Sequence, residues 1–215
     1  MEILEVGSGR AGIVLFLKPG TARVCMADQA ATNVLPRYSA KAEYVRADAC
    51  HLPISDASFP VVVSVDTLEH IPRAVRSAFL RELKRVAKET LILTCPLDSQ
   101  DGRFQAGKAD AQLRDELRKR NRRVPRWLEE HLQWGHPTAE ELMEELHGGH
   151  MEGWQNCESW NRFAVLHLLP FLWPFSGIFY FLALKKHDSS PPYWRGLITW
   201  EKNLAATAKG QNRDR

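Results

Sequence analysis

The first half of the chain alternates short apolar runs with segments patterned like helices. Ile3, Leu4 and Val6 form a brief apolar run that breaks into Gly7, Gly9 and Gly12, and apolar residues 13–17 follow. This order predicts a strand, a tight loop and a helix. Residues 22–28 and 43–48 predict two further strands, with a polar, alanine-rich short helix over 29–38 between them. Residues 59–65 carry Val61, Val62, Val63 and Val65, a β-branched run expected of a strand buried on both faces. Residues 73–87 place Val75, Phe79, Leu83 and Val86 at helical spacing among charged residues. A fifth strand over 90–95 is stopped by Pro96. Strands alternating with helices predict parallel crossovers and an α/β sheet covered on both faces.

The pattern changes after Pro96. Residues 98–107 are polar and loop-like, and 110–132 are helical in composition but divided by Pro125. Residues 138–146 predict a helix capped by Thr138 with Glu141 three positions on, closed by Gly148 and Gly149. Strands are expected over 151–160 and 193–202, and a polar, frayed tail over 205–215. Between the strands lies an apolar stretch, 163–184, with no Asp, Glu, Lys or Arg. It is long enough to span a bilayer, but Pro170 and Pro174 interrupt it, which argues against one straight helix. A kinked helix pair that covers the sheet or roofs an apolar pocket is the first expectation. A homodimer contact and contact with a membrane surface are the others.

Composition narrows the class. A chain of 215 residues with 44% apolar and 26% charged residues is one ample soluble domain, expected over 1–204. A net charge of +3 is too small to argue for nucleic acid. Cys25, Cys50, Cys95 and Cys157 form no Cys-x-x-Cys pair, so no metal site or disulfide framework is expected. A reducing compartment fits, and three of the four are expected to be buried as small hydrophobes. The N-terminus lacks a signal-peptide pattern. The expected location is cytoplasmic, with membrane association through 163–184 as the variant.

Candidate chemistry lies where predicted strands meet acids: Glu5, Asp28, Asp48 and Asp66. In an open parallel sheet such ends line the edge where ligands bind. Asp28 follows Gly12 by sixteen residues, about where a ribose-binding carboxylate falls in nucleotide folds. Asp48, one strand further along, is placed to meet an adenine amino group. A hydride-transferring, nicotinamide-dependent oxidoreductase is one reading of this series.

These residues, with Leu52-Pro53-Ile54-Ser55-Asp56-Ala57-Ser58-Phe59 and Ser64-Val65-Asp66-Thr67-Leu68-Glu69-His70, resemble a class I S-adenosylmethionine-dependent methyltransferase of the small-molecule, type 11-like branch. The resemblance covers about residues 1–97. It implies a Rossmann-like, mostly parallel sheet with an antiparallel last strand and α-helical insertions after strand five and between the last two strands. It also implies S-adenosylmethionine as cofactor and a small-molecule acceptor. Gly7, Ser8 and Gly9 would pass beneath the methionyl part, and Glu5 would hold that loop and approach the methionyl amino group. Asp28 would bind the ribose hydroxyls, Asp48 with the Ala49 backbone the adenine, and Asp66, Thr67 and Leu68 would border the methyl group.

Three departures stand out. Ala11 replaces a frequent glycine, and Pro60 replaces a frequent aspartate and is expected to open its strand. Only Met1 and Glu2 precede the first strand, so either the sequence is truncated or the pocket lacks part of its usual lid. A module that binds cofactor or partner without turnover is therefore the non-enzymatic alternative.

Acceptor-side residues are expected from about 98–136 and 161–192. Residues 127–138 cluster acids, imidazoles and tryptophans, and resemble, less specifically, a Glu-His-x-x-x-Gly-x-Pro segment of relatives. His131 is the first candidate for a general base and His70 the second, since histidine titrates near neutral pH. Arg114, Arg118, Lys119, Arg120, Arg122, Arg123 and Arg126 form a basic run. It is either a solvated helix face or a site for an anionic acceptor. A lipid-linked acceptor is the further variant, and nucleic acid is not expected.

Overall fold

The computed structural model describes residues 1–9, 12–18, 20–30, 42–169 and 173–202. The apolar runs become strands β1 (Glu2–Val6), β2 (Arg23–Asp28), β3 (Ala42–Arg46), β4 (Phe59–Val65), β5 (Ala87–Pro96), β6 (His150–Asn156) and β7 (Tyr193–Glu201). Among the described residues they pair in the order β3-β2-β1-β4-β5-β7-β6, a mixed sheet whose last strand is antiparallel. β1 runs parallel between β2 and β4, with Leu4 opposite Cys25 on one side and Val62 on the other. This is the α/β class that the alternation predicts, in the Rossmann-like form that the resemblance implies. The helices are α1 (Arg76–Val86), α2 (Ala106–Lys119), α3 (Arg126–Trp134), α4 (Ala139–Glu145), α5 (Cys157–Leu168) and α6 (Trp173–Phe179). The chain forms two compact units: 1–94 with 143–150 and 198–215, and 95–142 with 151–197.

In the first unit Leu4, Val6, Met26, Val62 and Leu91 are wholly buried. Helix α1 adds Phe79, Leu83 and Val86, also wholly buried, at the spacing that keeps one helical face inward. Val75, expected in the same stripe, is exposed instead. It sits in a 3-10 turn, Arg73–Val75, whose three-residue pitch takes it off the face that the 3.6-residue helix continues.

One guanidinium at the end of α1 fastens the loop before β4. Arg85 donates to the carbonyls of Ile54 at 2.7 Å and Leu52 at 3.0 Å. It also pairs with Asp56 and Glu82, each at 2.7 Å. Glu82 in turn accepts from the Leu52 N–H at 2.8 Å. Pro60 is the second residue of β4, one position later than expected. The ladder with β5 shifts register between Phe59 and Val61, so the irregularity falls at the residue that has no N–H to give.

In the second unit Leu113 and Leu117 of α2 pack with Leu128 of α3 and Ala164 of α5. Trp160 stacks on Trp194 with ring centroids 4.1 Å apart. The strand expected over 151–160 stops at Asn156, whose side chain accepts from the N–H groups of Glu158 at 2.9 Å and Ser159 at 3.2 Å. That cap starts α5 and makes Trp160 helical, because an Asn at this position satisfies N–H groups a new helix leaves open. The capping box of α4 is formed as expected: Glu141 N–H donates to Thr138 Oγ1, and Thr138 N–H to Glu141 Oε2, both at 3.2 Å.

Two cysteines, Cys95 and Cys157, are buried rather than three; Cys25 and Cys50 are partly exposed. The stretch 163–184 divides into α5, α6 and the π-helical turn Tyr180–Leu184. Among the described residues no helix is long and apolar enough to cross a membrane. The helix expected over 29–38 and the tail over 205–215 lie outside the described residues, apart from Gln29 and Ala30.

Phe79 touches no solvent. Phe79→Ala is expected to lower the unfolding free energy by about 3–5 kcal/mol, read as a lower urea midpoint with an unchanged slope.

Candidate active site

The loop after β1 is held by two carboxylates. Glu5 is 2% exposed and accepts from the Ile13 N–H, with Oε2 at 2.8 Å and Oε1 at 3.0 Å. Asp28, at the end of β2, accepts from the Gly9 N–H at 2.8 Å and from the Ala30 N–H at 2.9 Å. Residues 12–15 are a four-residue 3-10 turn and not the helix that the glycine pattern predicts. Gly12 has φ +46°, outside the right-handed helical region. A side chain there would collide with the Glu5 carboxylate. The N–H of Ile13 is therefore met by an acid from the strand.

The other wall of the loop is Thr67. Its hydroxyl donates to the carbonyls of Val65 at 3.1 Å and Gly7 at 3.4 Å. Gly7 has φ +80°, and a methyl group on it would strike the Thr67 side chain. Gly9 differs, because a Cβ there would meet no described residue within 4 Å. Beside it, the buried Ser8 Oγ finds no hydrogen-bond partner among the described residues. Open space next to an unsatisfied hydroxyl and a held carboxylate suits a polar, nucleoside-type ligand.

Asp48 accepts from the Cys50 N–H at 2.9 Å and from Gln29, the neighbour of Asp28, at 3.4 Å. The Cys50 N–H, with smaller help from His51 and Gln29 against partial burial, holds the Asp48 carboxyl below its ordinary value. Ala49 follows it, half-buried. Asp66 has φ +47°, a left-handed conformation that costs a non-glycine residue energy and gathers at functional turns. Leu68 is buried, and the His70 N–H donates to the Thr67 carbonyl at 3.0 Å. Direct contacts thus join Gly7, Gly9, Asp28 and Thr67, while Glu5 holds the far end of the same loop. Asp48 is linked to the β2 end through Gln29.

Burial pushes the Glu5 carboxyl up to about 7, against the lowering effect of the Ile13 N–H.

The second unit contains a buried acid that the sequence analysis passed over. Asp110 on α2 is wholly buried. Its Oδ2 lies 2.8 Å from His131 Nδ1 and 3.1 Å from His136 Nε2, and its Oδ1 accepts from Trp194 Nε1 at 3.0 Å. Burial pushes the Asp110 carboxyl up, but the hydrogen bonds and charge of the two imidazoles outweigh it and hold it at about 2. The carboxylate is therefore ionised and accepts only, so His131 carries its proton on Nδ1 and His136 on Nε2. The basic atom of a neutral His131 ring is then Nε2. The three ligand-type atoms are close enough for a metal ion, and the distances are also those of ordinary hydrogen bonds. The signal for Asp110 was an acid in the apolar stripe Ala106, Ala109, Leu113 and Leu117, all of them buried.

The basic run is partly neutralised on its own helices. Arg114 pairs with Asp115 at 2.9 Å, Arg120 with Glu116 at 2.6 Å, and Arg126 with Glu130 at 2.8 Å. This is the pattern of a solvated helix face.

A family model described as a methyltransferase domain matches residues 4–94. No curated protein matches the chain. The PH0226 protein of Pyrococcus horikoshii is 19% identical with a TM-score of 0.41, over 44% of this chain and 49% of that one. The 1,6-didemethyltoxoflavin-N1-methyltransferase of Burkholderia thailandensis is 14% identical with a TM-score of 0.41, over 45% of each chain. The chain spans about half the length of these two proteins. The geranyl diphosphate C-methyltransferase of Streptomyces coelicolor, solved with S-adenosyl-L-homocysteine, is 11% identical with a TM-score of 0.59, over 94% of this chain and 72% of that one. That likeness is one of fold.

Because Glu5 binds its proton more tightly when folded, it stabilises the fold fully below its ordinary value of 4.5 and loses that contribution as pH rises toward 7. The loss is on the order of 3 kcal/mol. Denaturant unfolding across this window is expected to show stability falling with pH, and Glu5→Gln to flatten the slope.

Proposed function

We propose, from the match of residues 4–94 to a methyltransferase domain model, that the chain transfers the methyl group of S-adenosylmethionine to a small-molecule acceptor. The observation that carries this reading is the loop Gly7–Gly9, held between Asp28 and Thr67 with open space at Gly9 and an unsatisfied Ser8 hydroxyl. When bound, S-adenosylmethionine supplies an electrophilic methyl group on a sulfonium. The protein's part is positioning, which can account for much of the barrier when the reactants are held in line.

Asp28, already oriented by two backbone N–H groups, has acceptor capacity left for the ribose hydroxyls. Ser8 and the Gly7–Gly9 backbone would run under the methionyl part, with Glu5 keeping the loop in place. Asp48 and Ala49 would meet the adenine. Asp66, Thr67 and Leu68 would border the methyl group, the first fixed in a left-handed turn.

For an acceptor that must lose a proton, His131 is the proposed base. Asp110 orients its ring and holds a proton on Nδ1, so Nε2 is the atom that accepts. His70 is the second candidate. For the acceptor itself, α2, α5 and α6 border an open cleft of about 460 Å³, with Leu113, Val165, Leu166 and Phe179 as its apolar wall and Gln112, Glu116, Asn161 and Arg162 as its polar groups. Apolar walls with two amides and a charge of each sign suit a molecule with an apolar body and a polar end. The ion pairs of the basic run give an anionic acceptor no added support.

Calorimetry is expected to show binding of S-adenosylmethionine and not of NAD. Asp28→Ala should weaken it by about tenfold to a hundredfold, the value of hydrogen bonds to a charged group; binding of NAD in its place would favour the oxidoreductase reading. In a screen of apolar hydroxylated and carboxylated acceptors, read by release of S-adenosylhomocysteine, His131→Ala is expected to slow transfer by about 10²–10⁴-fold. Its affinity for S-adenosylmethionine should stay unchanged. Unaltered turnover would remove His131 from the mechanism.

A further inference from the structure

The segment from α6 through Leu182 turns most of its large apolar side chains to water. A surface helix of a soluble protein turns its apolar stripe inward and its polar face to water. Here Ser176 and Leu184 are 3% exposed and Tyr180, between them at the same four-residue spacing, is half-buried. The inward groups are hydrogen-bonded: Ser176 Oγ lies 3.0 Å from His167 Nδ1, and the Tyr180 hydroxyl donates to the buried Asp188. The outward residues are Phe175, Ile178, Phe179, Phe181 and Leu182, from 41% to 75% exposed. Single exposed apolar residues are ordinary, but five within eight positions make a continuous patch that marks an interaction surface.

The charge beside the patch selects the partner. From 159 to 187 the chain has no Asp or Glu, and the cations Lys185 and Lys186 follow directly on the apolar residues. Both lysines are exposed. The Lys185 ammonium lies 4.9 Å from the centre of the Phe181 ring, so a cation and an outward aromatic stand side by side. Aromatic and aliphatic side chains that enter the acyl boundary, with lysines at headgroup level, are the composition of an interfacial anchor. A second copy of this chain would bring the same lysines to the same face with no acid in the segment to meet them.

We propose that residues 175–186 form a docking surface for an anionic lipid bilayer, lying in the interface plane without crossing it. This assignment rests on exposure and charge in the second unit and does not depend on the methyl-transfer reading.

Flotation of the full chain with vesicles tests it. Vesicles of phosphatidylcholine and phosphatidylglycerol in equal parts are expected to carry the protein upward, and vesicles of phosphatidylcholine alone to carry much less. Added salt should release it. Lys185→Glu with Lys186→Glu should cut recovery about tenfold or more, given about 1 kcal/mol for each lysine near an anionic surface. Phe181→Asp with Leu182→Asp should abolish it. Thermal unfolding of both double variants should match the parent, since the substituted side chains are exposed. Recovery that is absent with both vesicle types, or equal with both, overturns the proposal. So does a dimer in sedimentation that the Phe181/Leu182 variant disperses while leaving vesicle recovery intact.

Discussion

The first unit depends on how its opening loop meets the hydrogen-bonding demand of its own backbone. A chain that leaves a buried strand and turns sharply exposes N–H groups with no ladder to join. Two carboxylates from neighbouring strands answer this: Glu5 takes the Ile13 N–H and Asp28 takes that of Gly9. Thr67, from the turn after the strand on the other side, closes on the Gly7 carbonyl. The conformation of residues 7–9 and 12–13 is therefore set by three strand ends at once. The left-handed angles at Gly7, Gly9 and Gly12 let the backbone approach those groups, and side chains at 7 or 12 would occupy the space they fill.

The second unit uses a single carboxylate differently. Asp110 collects one donor from each imidazole of His131 and His136 and one from the Trp194 indole. A buried charge is tolerated when its lone pairs are met, and here three side chains distant in sequence meet them. The arrangement fixes which nitrogen of each histidine carries hydrogen, and so links the packing of α2 and α3 to the chemistry proposed for His131.

Much of this was legible in the sequence, and the limits have physical causes. The strands of the first half were evident because parallel strands buried on both faces read as unbroken β-branched runs. The acids at 5, 28 and 48 were found from their places at strand ends. What the sequence could not show was what they bind: a helix was expected after Gly12, yet residues 12–15 form a 3-10 turn whose Ile13 N–H is taken by Glu5. Asn156 ended a strand that composition would have carried on to Trp160, because a local cap competes with the ladder. Asp110 was missed because its three partners come together only in the folded unit, although an acid within an apolar helical stripe was a visible anomaly. Residues 163–184 left three readings open, a cover for the sheet or a pocket, a homodimer contact and a membrane contact, since hydrophobicity alone does not say which face turns outward.

The Arg85 junction bears on how much the plainest motif can reveal. The Leu52-Pro53-Ile54-Ser55-Asp56 block contributed heavily to the family resemblance, yet its contacts run to a structural guanidinium: two carbonyls, Asp56 and Glu82 gather around Arg85 at the entrance to β4. The block thus serves the fold before it serves any chemistry. A descendant that had lost its chemistry would keep this signature as long as it kept its shape, whereas the loop at Gly7–Gly9 and the turn at Asp66–Leu68 would be free to drift. A likeness at this block therefore speaks for shared architecture, and the turns at Gly7–Gly9 and Asp66–Leu68 are where the chemistry has to be read.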